Sequence, residues 1–167
     1  MAREIERKFL VDALPESISG RERKAIRQGY PALEEGGREV RLRSMADRYF
    51  LTIKSQGDLE REEYEIELNK DQFENLWDAT RGRRLRKDRI KYEAGDRLIE
   101  IDIYHQPLAG LIVAEIEFED EAKAMAYEPE EWMGRELTHF NFLKNRNLLQ
   151  FDSWEEVKDR LDDLSSD

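Results

Sequence analysis

The chain has 167 residues, with 39 acidic and 28 basic side chains, a net charge of −11 and no cysteine. That balance argues against non-specific nucleic-acid binding, which needs a broad basic surface, and the lack of cysteine removes any disulfide framework or thiolate zinc site. Two histidines argue against a histidine-rich metal centre, no apolar stretch approaches membrane-spanning length, and the abundant carboxylates suit hard cations such as Mg2+, Mn2+ or Ca2+.

The elements are read in chain order from hydrophobic periodicity. Residues 3–11 form a strand pattern in which Glu4, Glu6 and Lys8 share one face and Ile5 and Phe9 the other. Met1 leads directly into this pattern rather than into a signal peptide, so the cytoplasm is the expected location. Pro15 and Gly20 break the polar stretch that follows. Residues 25–33 form a second strand before the 34–37 turn, and 38–45 a third, with Arg41 and Arg43 opposed to Val40 and Leu42. Residues 48–55 set Thr52 and Lys54 against Leu51 and Ile53. Residues 60–69 set Arg61, Glu63, Glu65 and Glu67 against Tyr64, Ile66 and Leu68.

A helix is predicted over 70–80, with Asn69 and Gln72 as its capping box. A hairpin follows over 84–93 and 97–106. Its first arm carries Lys87, Arg89 and Lys91 on one face, and its second sets Glu100 and Asp102 against Ile99, Ile101 and Ile103. A last strand, 111–119, opposes Glu115 and Glu117 to Ala114, Ile116 and Phe118. Helices are predicted over 120–127 and 137–149. Ser153 and Glu156 make a capping box for a C-terminal helix over 153–164, whose apolar stripe is Trp154, Val157, Leu161 and Leu164. No linker divides the chain, so residues 1–167 are expected to form one domain, with the last helix covering sheet surface.

About eight strands in hairpin order imply an antiparallel α+β architecture. An antiparallel sheet commonly turns one charged face to water. Here like charges cluster by strand, and the pattern recurs in nearly every strand. Curled into a closed barrel with charge inward, such strands would line a tunnel with carboxylates and cationic groups. An inorganic polyphosphate fits that chemistry, its oxygens gripped by basic groups and bridged by carboxylate-held Mg2+.

In this setting the motifs resemble a known family. Glu4-x-Glu6-x-Lys8 resembles the ExExK signature of the CYTH superfamily, the triphosphate tunnel metalloenzymes. Arg41-Leu42-Arg43, Thr52-Ile53-Lys54, Arg61-x-Glu63-x-Glu65, Lys87-x-Arg89, Glu100-x-Asp102 and Glu115-x-Glu117 follow in the family's order. The ordered set covers residues 3 to about 146 and looks most like the small bacterial inorganic tripolyphosphatases. One segment departs from the pattern: Asn141-Phe142-Leu143 precedes Lys144-Asn145-Arg146, where relatives often carry a basic residue and an aromatic.

The resemblance implies an eight-stranded closed antiparallel barrel with a charged interior and flanking helices. It further implies Mg2+- or Mn2+-dependent hydrolysis of tripolyphosphate or a related triphosphate. Glu4, Glu6, Glu65, Glu115 and Glu117 are the expected metal ligands. Lys8, Arg41, Arg43, Lys54, Arg61, Lys87, Arg89, Lys144 and Arg146 are the expected phosphate-binding residues. Lys87, Arg89 and Glu63 are the expected catalytic groups, and Glu100 and Asp102 either act in the site or hold its basic residues in place. His139 is read as a surface residue. The competing functions are class IV adenylate cyclase, thiamine triphosphatase with Trp132 or Tyr30 as the aromatic platform, and a non-catalytic polyphosphate- or nucleotide-binding module. The oligomeric state, the preferred metal and the physiological substrate stay open.

Overall fold

The computed structural model describes residues 5–35, 37–55 and 62–165. Its elements, in order, are β1 (Ile5–Leu10), α1 (Glu16–Ser19), β2 (Lys24–Leu33), β3 (Glu39–Met45), β4 (Arg48–Lys54), β5 (Glu63–Leu68), α2 (Lys70–Trp77), β6 (Arg84–Ala94), β7 (Arg97–Tyr104), β8 (Ile112–Phe118), α3 (Glu121–Ala126), α4 (Asn145–Leu148) and α5 (Trp154–Ser165). All eight strands lie where the alternation was read from the sequence, and all pair antiparallel; on β5 the expected apolar face is not buried, Tyr64 and Ile66 being exposed. The described residues divide into two compact units, one over 24–86 and one combining 5–23 with 87–165.

The first unit is the meander β2-β3-β4-β5. In its register Leu42 faces Leu51, Leu51 faces Ile66, and Tyr49 faces Leu68. Leu42, Tyr49, Leu51 and Leu68 form the apolar face onto which α2 lowers Phe73 and Trp77, while Ile66 stays exposed. The Asn69 side chain accepts from the Gln72 amide at 2.8 Å while Gln72 accepts from the Asn69 amide at 2.9 Å, completing the expected capping box. The helix ends at Trp77 and tightens into one 3-10 turn, Asp78–Thr80. This turn lies against Gly29, where a Cβ would fall 2.7 Å from the Thr80 side chain. Only glycine permits that approach.

The second unit is built on the strands β1-β8-β7-β6, a β6-β7-β8 meander with β1 added beside β8 and β6 taking part from Lys87 onward. One face carries Phe9, Ile90, Ile99, Ile101, Ala114, Ile116 and Phe118. Ile18 of α1, Ala124 of α3 and Met133 complete the core. Each isoleucine, phenylalanine or methionine side chain among them contributes about 1.5–3 kcal/mol through burial, so the alternation itself selects which face is inside. α1 lies in the stretch read from the sequence as broken and polar. The single apolar anchor of its four residues, Ile18, carries no periodic signal.

Two expectations are corrected. Residues 137–149 do not form one helix; they hold a 3-10 turn, Asn141–Leu143, and the short α4. The closed barrel is not closed by hydrogen bonds among the described residues. β1 uses its second edge on residues 134–137: Leu10 donates to Arg135 O, Gly134 to Leu10 O and Leu137 to Lys8 O, at 2.7–2.8 Å. β5 is laddered to β4 alone among the described residues. α5 buries Val157 and Leu161 and is tied down by Arg135, whose guanidinium donates to Leu161 O at 2.7 Å. No described helix is long and apolar enough to cross a membrane.

Candidate functional site

The face of the second unit opposite its core is charged. Cross-strand partners share a face, and the register sets Glu6 against Glu117, Lys8 against Glu115, Glu115 against Glu100, and Arg89 against Asp102. Lys8 and Arg89 thus meet carboxylates across the strands, while Glu6 with Glu117 and Glu115 with Glu100 bring like charges together on the same face. Lys8 Nζ lies 3.5 Å from Glu6 and 3.4 Å from Glu115. Burial alone would lower the pKa of this ammonium, but Glu115 and Glu6 outweigh that and hold it above the ordinary lysine value.

Asp102 is the hub. It is 1% exposed and accepts from Lys87 Nζ at 2.6 Å, Arg89 Nε at 2.7 Å and Arg89 Nη2 at 2.9 Å. Lys87 is wholly buried. Burial would raise the Asp102 pKa, yet the charges and hydrogen bonds of Lys87 and Arg89 drive it well below the usual carboxylate range. Arg89 also donates to Glu100 at 2.8 Å. In this geometry Asp102 and Glu100 hold the basic pair in place.

The first unit has its own charged face. Arg41 is buried and donates to Thr52 Oγ1 at 3.4 Å; Thr52 in turn donates to Glu65 at 2.8 Å. The buried Nε of Arg41 has no hydrogen-bond partner. An orphaned guanidinium donor is costly unless an acceptor meets it, and an anionic oxygen would do so. Arg43 donates to Gln28 Oε1 at 2.9 Å, and Gln28 donates to Tyr30 Oη at 2.7 Å. Lys54 stands between Glu39 and Glu63 in register, with Glu63 exposed on β5.

Sequence reasoning missed Gln28, Tyr104 and Asn145, which lack charge and fall outside the charged motifs. Tyr30 is 1% exposed and Trp132 packs on the second unit's core, so neither presents an open aromatic platform. His139 is exposed, as expected. Lys144 and Arg146 are half-buried, flanking Asn145, which is bonded to Tyr104 at 2.6 Å. Glu4 and Arg61 lie outside the described residues. Among the described residues no three acidic or histidine side chains already converge on one metal-sized point. The donor set on β1 and β8, Glu6, Glu115 and Glu117, is nonetheless all carboxylate oxygen, which fits a hard divalent cation.

A family model described as the CYTH domain matches residues 2–141. The chain belongs to the CYTH domain family. It is 43% identical over 148 residues to a protein of Nitrosomonas europaea named inorganic triphosphatase, covering 87% of this chain and 95% of that one. It is 32% identical over 154 residues to another protein so named, from Acetivibrio thermocellus, covering 90% and 95%. The crystal structure of the inorganic triphosphatase NE1496 superposes with a TM-score of 0.72 at 39% identity, over 92% of this chain and 98% of that one. The CYTH fold thus accounts for the eight antiparallel strands.

Proposed function

We propose that this CYTH protein hydrolyses inorganic tripolyphosphate or a closely related triphosphate, releasing phosphate, with a divalent cation. The observation that carries the reading is its 43% and 32% identity, over most of both chains, to two proteins named inorganic triphosphatase. The charged faces supply chemistry suited to it. On β6 and β1, Lys87, Arg89 and Lys8 bind phosphate oxygens; on β3 and β4, Arg41, Arg43 and Lys54 do the same, with Arg61, Lys144 and Arg146 as further contacts. Fixed cations of this kind stabilise the charge spread over the phosphoryl oxygens in a loose transition state. Asp102 keeps Lys87 and Arg89 aimed before substrate arrives, so little reorganisation is needed during reaction. Glu63 orients the attacking water. Glu6, Glu115 and Glu117, with Glu4, would hold Mg2+ or Mn2+, and Glu65 would hold a second cation; such a cation would supply neutralisation of phosphoryl charge.

The test is phosphate release from tripolyphosphate, pyrophosphate, ATP and thiamine triphosphate, with Mg2+, Mn2+ or EDTA, for wild type and Glu6→Gln. Cation-dependent release from tripolyphosphate well above ATP, abolished by Glu6→Gln in a folded protein, is the expected result. Cyclic AMP and pyrophosphate from ATP would reassign the chain as a cyclase. Tight tripolyphosphate binding without turnover would reassign it as a binding module.

A further inference from the structure

Tyr104 ends β7, in register opposite Lys87 on β6. It is 5% exposed, and its ring centroid lies 5.3 Å from Lys87 Nζ. An ammonium over an aromatic face gains most when both are withdrawn from water, as they are here. The hydroxyl of the same side chain donates to Asn145 Oδ1 at 2.6 Å, across 41 residues of sequence. Asn145 opens α4 and sits between Lys144 and Arg146. A helix of four residues has no stability of its own. α4 is held by the burial of Leu148, by Asn147 donating to Asn141 O at 2.7 Å, and by the Tyr104 bond. Tyr104 thus touches the buried lysine with its ring and the turn that departs from the family pattern with its hydroxyl.

We propose that Tyr104 and Asn145 form a positioning pair for triphosphate binding, fixing the Lys144–Arg146 turn beside Lys87. The inference rests on the triphosphatase reading and adds two uncharged residues to that site. Tyr104→Phe keeps the ring on Lys87 and removes the hydroxyl that makes the tether. Asn145→Ala removes the same tether from the other side. Tyr104→Leu removes ring and tether together.

The experiment measures kcat and KM for tripolyphosphate, together with its calorimetric Kd, on wild type, these three variants and the Tyr104→Phe/Asn145→Ala double variant. Loss of one uncharged hydrogen bond is expected to raise KM and Kd roughly three- to tenfold in Tyr104→Phe and in Asn145→Ala, with kcat within about twofold. The double variant should be no worse than either single one, because both remove one contact. Tyr104→Leu should lower kcat as well, through Lys87. Singles whose effects multiply in the double variant would overturn the pair. So would variants that lose thermal stability while KM and Kd stay at the wild-type values. Should wild type bind tripolyphosphate without hydrolysing it, the triphosphatase reading fails alone and the same pattern in Kd decides the pair. Absence of tripolyphosphate binding by wild type would overturn both.

Discussion

Asp102→Ala is the perturbation whose size can be worked most directly from the structure. The carboxylate accepts three charge-assisted hydrogen bonds, and one donor, Lys87, is completely buried. Removing the acceptor leaves that ammonium in the interior without its carboxylate, a change that costs about 3–5 kcal/mol. Hydrogen bonds to charged groups run to about 1.5–3 kcal/mol each, but the three share one partner and do not add. In a chain of this size 1 kcal/mol moves the melting temperature by about 2–4 °C, so a drop of roughly 6–20 °C is expected. Urea unfolding followed by tryptophan fluorescence gives the midpoint, and an unchanged slope shows that the same surface unfolds. Glu100→Ala is the control. It removes one contact to Arg89 at a partly exposed site and should cost only about 1 kcal/mol. A loss below about 1 kcal/mol for Asp102→Ala, with the slope unchanged, would refute the claim that Asp102 holds the basic pair.

Three further outcomes follow from the same contacts. Lys87→Met should abolish most triphosphate turnover while costing less stability than Asp102→Ala, because Asp102 keeps both Arg89 bonds; kinetics and thermal melts on one preparation check this. Stability should fall in acid. Asp102, and Glu136 through its hydrogen bonds from Arg7, have folded pKa values below their unfolded ones, so their contribution is complete above the ordinary carboxylate range and is lost as pH falls through and below it. Asp102→Asn should flatten the acid limb of a melting-temperature profile, and parallel curves for variant and wild type would contradict the assignment. Gly110→Ala should destabilise by about 1–3 kcal/mol, since Gly110 has φ of 112° and a Cβ would lie 2.6 Å from Trp154 Cδ1; an unchanged urea midpoint would show that α5 moves aside freely.

Alternation and capping were enough to locate the eight strands, α2, α3 and α5, because period-2 and period-3.6 burial are local properties of the chain. The division of each strand into a charged and an apolar face was legible for the same reason. Glu100 and Asp102 looked like a second acidic motif, and their role as partners of Arg89 and Lys87 emerged only once β6 and β7 were in register. The 137–149 segment read as helix. Its start instead serves β1, Leu137 donating to Lys8 O and Thr138 Oγ1 accepting from the Lys8 amide, and no local pattern encodes the needs of a strand more than a hundred residues away.

Sequence alone determined which residue types this protein presents, in what order, and on which face of each strand. Composition limited its ligands to hard cations and anions, and the motif order pointed to the CYTH family. Tertiary structure decided which charges neutralise one another, which donor is left without an acceptor at Arg41, and which uncharged side chains meet across the chain. Those are set by distances of about 3 Å between residues far apart in the chain. Tyr104 and Asn145 are the plainest instance: separated by 41 positions, they meet only because β7 and α4 are packed in the same unit.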